Sequence, residues 1–115
     1  MAAPTGPRRV TLPRLFVYGT LQDDKVVQEL LGHRLFGRPA VLKGYDRTFD
    51  PAIGYLVIRP REDAVVAGTV LDGVDDKSLA ILDAYEGPQY RRMVVHVHTI
   101  EGRVLEAYVY VPVAP

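Results

Sequence analysis

Arg14-Leu15-Phe16-Val17-Tyr18-Gly19-Thr20-Leu21 passes from a β-branched and aromatic run into a glycine. Such a run predicts a short strand, and Gly19 ends it. Asp23 and Asp24 follow as candidate helix N-caps, Val26, Val27, Leu30 and Leu31 recur at helical spacing, and Gly32 stands where a C′ glycine belongs. The predicted unit is strand, tight turn, helix. A turn of this kind exposes successive backbone N–H groups in a concave arc, and such nests take carboxylates or phosphates. An ordinary tight turn has the same appearance in sequence. A nucleotide loop is a poor fit, because neither G-x-G-x-x-G nor Gly-Lys-Ser/Thr is present.

Beyond this unit, residues 35–49 are predicted to be extended, with Gly37 and Gly44 as bends or bulges. Asp50-Pro51 marks a turn. Tyr55-Leu56-Val57-Ile58 and the stretch from Ala64 to Leu71 predict two further strands, joined as a hairpin through Pro60-Arg61-Glu62-Asp63. A second helix is expected over about residues 76–86. Val74 and Leu79 would staple its start around an Asp75 cap, and Gly87-Pro88 would stop it. Tyr90 to Thr99 and Arg103 to Val111 flank Glu101-Gly102, which predicts a two-residue hairpin with Ile100 facing Arg103, and so Met93 and Val95 opposite Tyr110 and Tyr108. Six or so strands and two short helices argue for an α+β fold around a curved, mainly antiparallel sheet. The last two strands are apolar on both faces, as expected of a sheet covered on both sides or rolled into a barrel.

Length and composition bound the rest. A chain of 115 residues with 48% hydrophobic residues suits one domain, and no internal repeat is present. The expected organisation is a loose tail over residues 1–12 and one domain over 13–115. Fourteen basic and fourteen acidic residues cancel, so no net field draws the chain to nucleic acid or to an anionic membrane. No apolar run approaches the roughly 20 residues needed to span a bilayer. The absence of cysteine removes disulfides, thiolate ligands and thiol nucleophiles. Arg8-Arg9 is followed by no apolar export region, so the expectation is a soluble, cytoplasmic protein.

Glu86 is the most informative single residue. It lies four residues after Leu82 and seven after Leu79, on the helix stripe that should face the core. Desolvation and the negative end of the helix dipole would both raise its pKa toward neutrality, where a carboxylate can take and return a proton. The alternative is that Glu86 leans out at a frayed helix end, or pairs with Arg91 or Arg92. Tyr108 and Tyr110 share a strand face and either can reach a polar pocket, Tyr108 fitting better as a core aromatic. His96 and His98 share a strand face with metal-ligand spacing, but a third ligand would have to converge from His33 or a carboxylate. No metal and no cofactor are expected. Ser78, the one serine, lacks a nucleophile-elbow context.

Phe16-Val17-Tyr18-Gly19-Thr20-Leu21 resembles the signature of the γ-glutamylcyclotransferase-like superfamily, especially its AIG2-like and γ-glutamylamine cyclotransferase-like branches. The likeness continues through Pro51-Ala52-Ile53, Val66-Ala67-Gly68-Thr69-Val70, Leu82-Asp83-Ala84-Tyr85-Glu86-Gly87, Tyr90-Arg91-Arg92 and Ala107-Tyr108-Val109-Tyr110, over roughly residues 14–112. The resemblance implies a small mixed β-barrel with a cavity between the first turn and the second helix. It further implies cyclisation of a γ-glutamyl amine or dipeptide to 5-oxoproline, with release of the amine. Glu86 matches the catalytic acid/base, Gly19, Thr20 and Leu21 match the loop that holds the glutamyl end, and Tyr18 and Tyr110 match cavity-lining positions. Many members place a basic residue where Gln22-Asp23-Asp24 stands here, which bears on the leaving group rather than on the glutamyl cradle. A different class of function, a non-catalytic protein that holds a small carboxylate metabolite in the same cavity, shares these features.

Overall fold

The computed structural model describes residues 13–113. The tail expected over residues 1–12 lies outside the described residues. In chain order the elements are β1 (Leu15–Val17), a 3₁₀ turn (Thr20–Gln22), α1 (Asp24–Leu31), β2 (Gly37–Asp50), β3 (Tyr55–Leu71), α2 (Asp76–Glu86), β4 (Tyr90–Thr99) and β5 (Val104–Pro112). The strands close into a barrel in the order β1-β3-β2-β4-β5. β1 and β5 are parallel, and the other neighbours are antiparallel. This is the small, mainly antiparallel barrel with two helices expected from the sequence.

Alternation along β1 divides the core in two. Phe16 joins Ile58, Val66, Val70, Val97 and Val109 inside the barrel. Leu15 and Val17 point the other way, onto Val27, Val74, Leu79 and Leu82 of the helical layer. Both faces of the strand are therefore covered, which accounts for its unbroken apolar run. Gly68 lets β3 lie close against β1. A Cβ there would stand 2.4 Å from the Val17 carbonyl oxygen and 2.7 Å from Phe16 Cζ.

The helix signals act locally and hold. Asp23 Oδ1 accepts from the Lys25 amide at 2.9 Å, and Gly32 closes α1 in the left-handed region at φ 80°. Asp75 Oδ1 accepts from the Ser78 amide at 2.8 Å, and Gly87 ends α2. Val74 and Leu79 are buried in one cluster, as a staple requires.

Two strand expectations are corrected. The segments at 55–58 and 64–71 do not form a hairpin: they are one 17-residue strand, because both halves pair antiparallel with the same β2. The register passes from Lys43↔Val65 to Tyr45↔Pro60, so Gly44 faces Arg61 to Ala64 across a bulge. Gly44 at φ 84° and Asp63 at φ 67° absorb the bend that Pro60 suggested as a turn. Among the described residues the strand count is accordingly five. The β4–β5 hairpin has a three-residue loop, Ile100-Glu101-Gly102, because Gly102 at φ 90° supplies the left-handed position. Arg92 and Val94, rather than Met93 and Val95, stand opposite Tyr110 and Tyr108. A one-residue slip reverses every face. It therefore brings Arg92 onto the side of Tyr110.

Candidate functional site

A cavity of about 440 Å³ opens between the 3₁₀ turn, the end of α2 and the β2–β3 hairpin, within the usual size of a small-molecule site, ~300–1,000 Å³. Tyr18, Gly19, Thr20, Leu21, Glu86 and Tyr110 all line it. Every residue singled out as catalytic or substrate-binding from the sequence therefore meets in one space. The residues come from three distant stretches. Barrel closure joins the first and last of these through the parallel pairs Leu15↔Tyr108 and Phe16↔Val109, and packing of Leu79 and Leu82 in one cluster with Leu15, Val17 and Tyr110 brings the end of α2 beside them.

Glu86 ends α2 beside the buried Leu79 and Leu82, and it is half-buried in the cavity wall. Burial pushes its carboxyl from the ordinary 4.5 up to about 7. Among the described residues its carboxylate forms no ion pair. Arg92 is taken by Asp83 instead, at 2.7 and 3.1 Å through a two-toothed contact. The cavity thus holds a carboxyl poised near neutrality, with no cation paired to it among the described residues.

Across the cavity, the Gln22 and Asp23 amides close the turn onto the carbonyls of Gly19 and Thr20, at 3.1 and 3.0 Å. The amides at the start of such a turn, those of Thr20 and Leu21, have no partner within it. Thr20 Oγ1 lies 3.2 Å from the Tyr85 hydroxyl, which links the turn to the end of α2. Arg47 donates to the Tyr18 carbonyl oxygen at 2.8 Å from the β2 side.

A hydrogen-bonded chain stiffens the wall behind Glu86. The Tyr18 hydroxyl donates to the Tyr110 carbonyl oxygen at 2.8 Å, and the Tyr110 hydroxyl donates to Asp83 Oδ1 at 2.7 Å. Burial, helped by nearby negative charge, pushes both phenols above their ordinary pKa, so both remain donors. Burial acts to raise the Asp83 pKa, but hydrogen bonds from Arg92 and Tyr110 outweigh it and hold the group below its ordinary value. The Arg92 guanidinium also lies 4.6 Å from the centre of the Tyr108 ring, which leaves Tyr108 in a packing role. Sequence alone offers Arg92 as a partner for Glu86; the fold gives it instead to Asp83, which also accepts from Tyr110. The nine-residue interval from Asp83 to Arg92, across the Gly87-Pro88 turn, was the available signal.

The remaining wall is apolar: Phe49, Tyr55 and Leu56 come from the tip of the β2–β3 hairpin, and Tyr85 and Tyr90 from either side of the α2–β4 turn. Asp50 shapes the hairpin tip, its side chain accepting from the Ala52 amide and its carbonyl from the Gly54 amide, with Gly54 at φ 86°. The Tyr90 hydroxyl donates to the Leu56 carbonyl oxygen at 2.8 Å and ties the hairpin to β4. These residues were not assigned to a site from sequence, since an exposed aromatic near a turn carries no periodic signature. His96 and His98 lie away from this cavity. Among the described residues, no three His, Cys, Asp or Glu side chains gather in a metal-binding group. Nor is any helix among them long and apolar enough to cross a membrane.

Comparison with known proteins matches this architecture. The chain is 38% identical over 99 residues to AIG2-like protein C of Arabidopsis thaliana, covering 84% of this chain and 58% of that protein. It is 32% identical over 101 residues to a Methanocaldococcus jannaschii protein named gamma-glutamylcyclotransferase and putative RNase, covering 84% of this chain and 44% of that one. The chain thus spans roughly half the length of these relatives. A solution structure of an Arabidopsis thaliana protein superposes with a TM-score of 0.82 at 31% identity, over 92% of this chain and 72% of the other. The sequence pattern of the family described as gamma-glutamyl cyclotransferase, AIG2-like, matches residues 15–115. With that match running through β1, the turn, α2 and β5, the chain belongs to the gamma-glutamyl cyclotransferase, AIG2-like family.

Proposed function

We propose that this chain catalyses γ-glutamyl cyclotransfer: it closes the γ-glutamyl unit of an amine or dipeptide to 5-oxoproline and releases the amine. One observation carries the reading. A half-buried carboxyl with a pKa near 7 shares one cavity with the Gly19-Thr20-Leu21 turn, whose leading amides have no partner within the turn. The first is suited to moving a proton at neutral pH, the second to holding an anionic group.

The chemistry follows from that pairing. The substrate α-carboxylate lies on the Thr20 and Leu21 amides, with Gly19 permitting the close approach. Its α-ammonium faces Glu86, the carboxylate that takes one proton and frees the nitrogen lone pair. The nitrogen attacks the γ-carbonyl carbon of the same molecule, forming the ring C–N bond and a tetrahedral oxyanion. Collapse of that intermediate breaks the bond to the leaving nitrogen, which receives the proton from Glu86, and the ring nitrogen's remaining extra proton passes through the same carboxylate to the amine, which departs as an ammonium ion. The carboxylate is restored. Because ring closure is intramolecular, the cavity mainly selects the folded conformer in which the nitrogen stands against the γ-carbonyl carbon. Tyr18 and Tyr110, locked by their hydrogen bonds, supply a fixed wall for it.

The test is 5-oxoproline release from γ-glutamyl peptides, γ-glutamyl amines and γ-glutamyl-ε-lysine. Turnover is expected with at least one of them, falling at least 100-fold in Glu86→Gln with the circular dichroism spectrum unchanged. Undiminished turnover in that variant removes Glu86 from the mechanism. Tight binding without product from any of the compounds makes the cavity a metabolite-binding site instead.

A further inference from the structure

Once the two charged ends of a γ-glutamyl unit are placed, the cavity has no charged side chain left for the other half of the substrate. Glu86 is the single ionisable acid or base of ordinary pH among the described lining residues; the other polar side chains are tyrosines and Thr20. The side toward solvent is formed by Phe49, Tyr55, Leu56, Tyr85 and Tyr90. Four of these are uncovered to an unusual degree for large apolar groups: Phe49 59%, Tyr55 64%, Leu56 40% and Tyr85 44% exposed. Single exposed apolar residues are ordinary, but a cluster around one cavity mouth marks a binding surface.

We propose that the amine released from this site is apolar and uncharged beyond its reacting nitrogen, an alkyl or arylalkyl amine, rather than an amino acid or a lysine side chain. This rests on the γ-glutamyl reading of the same cavity. The rim is built as one unit: the β2–β3 hairpin delivers Phe49, Tyr55 and Leu56 together, and the Tyr90 hydroxyl bond to the Leu56 carbonyl holds them over the α2 end. The volume of about 440 Å³ leaves room beyond a glutamyl unit for such a chain. A leaving group with its own carboxylate would have to lie against these rings without a partner, which disfavours it. The neighbouring cations are engaged elsewhere. Arg47 is spent on the Tyr18 carbonyl oxygen, and Arg59 on Asp50.

The experiment compares γ-glutamyl-phenethylamide with γ-glutamylglycine in two readouts: kcat/KM for 5-oxoproline release by the wild-type chain, and affinity for the Glu86→Gln variant by titration calorimetry. Both ratios are expected to favour the phenethylamide at least tenfold, about 1.4 kcal/mol. Phe49→Ala and Leu56→Ala, both at exposed positions, are each expected to draw the ratio toward one. Ratios at or below one overturn the proposal, most directly if γ-glutamylglycine binding is then lost in Arg47→Ala. Turnover with a ratio near one leaves the cyclotransferase reading standing and removes this one. Absence of turnover removes the cyclotransferase reading and with it any released amine; a tenfold affinity ratio then upholds the rim's preference for an apolar γ-amide substituent, and a ratio near one removes that as well.

Discussion

The buried acid makes a prediction about stability that needs no substrate. Glu86 has a folded-state pKa of about 7 against an ordinary value of 4.5. The native chain therefore holds this proton more tightly than the unfolded chain does. Below about pH 4.5 the group is neutral in both states and contributes no difference. Between about 4.5 and 7 the unfolded state ionises first, so stability falls as pH rises, and above about 7 the loss is complete. At about 1.4 kcal/mol per pH unit the gap corresponds to ~3 kcal/mol. The site opens to water on one side, and screening brings the expectation to about 1–2 kcal/mol. Glu86→Gln removes the titration but keeps the shape. Urea unfolding of both proteins at pH 4.5 and pH 8 should show the variant gaining about 1–2 kcal/mol on the wild type between the two, a midpoint shift of roughly 1 M for an m-value near 1–1.5 kcal/mol/M. A difference independent of pH would refute the burial argument. A wild type that gains on the variant as pH rises would mean that Glu86 is ionised and paired. The same group should govern activity: kcat/KM rises with pH through about 7, because the carboxylate is the form that accepts the ammonium proton.

Other outcomes follow from the packing around the site. Gly68→Ala places a methyl 2.4 Å from the Val17 carbonyl oxygen and should cost about 1–3 kcal/mol by thermal unfolding; a neutral result would mean that β1 and β3 are not so close. Tyr110→Phe removes the hydroxyl donor to Asp83 while the Arg92 contact survives, so a loss of about 1 kcal/mol is expected in chemical denaturation. No change there would place the Tyr110 hydroxyl in water rather than on Asp83.

What the sequence determined was local. The helix at 76–86 was legible from Asp75, Val74, Leu79 and Gly87, because capping and stapling act within one or two turns of chain. The strand-turn-helix unit at 14–31 is legible for the same reason, and the 3.6-residue period by itself puts Glu86 on the apolar stripe. Tertiary structure decided what depends on distant partners. The 55–58 and 64–71 segments form one strand because β2 runs beside both, and Pro60 between them has the local signature of a turn that this partner overrides. The β4–β5 register moved by one residue because Gly102 extends the loop to three, which brought Arg92 to Asp83 and left Glu86 without a cation. The apolar rim was likewise invisible in sequence: Phe49, Tyr55 and Leu56 reach the Glu86 cavity only because the barrel closes and the hairpin leans over it. A stretch of chain encodes its own caps and period, whereas a cavity is enclosed by walls far apart in sequence, and their meeting is a property of the closed fold.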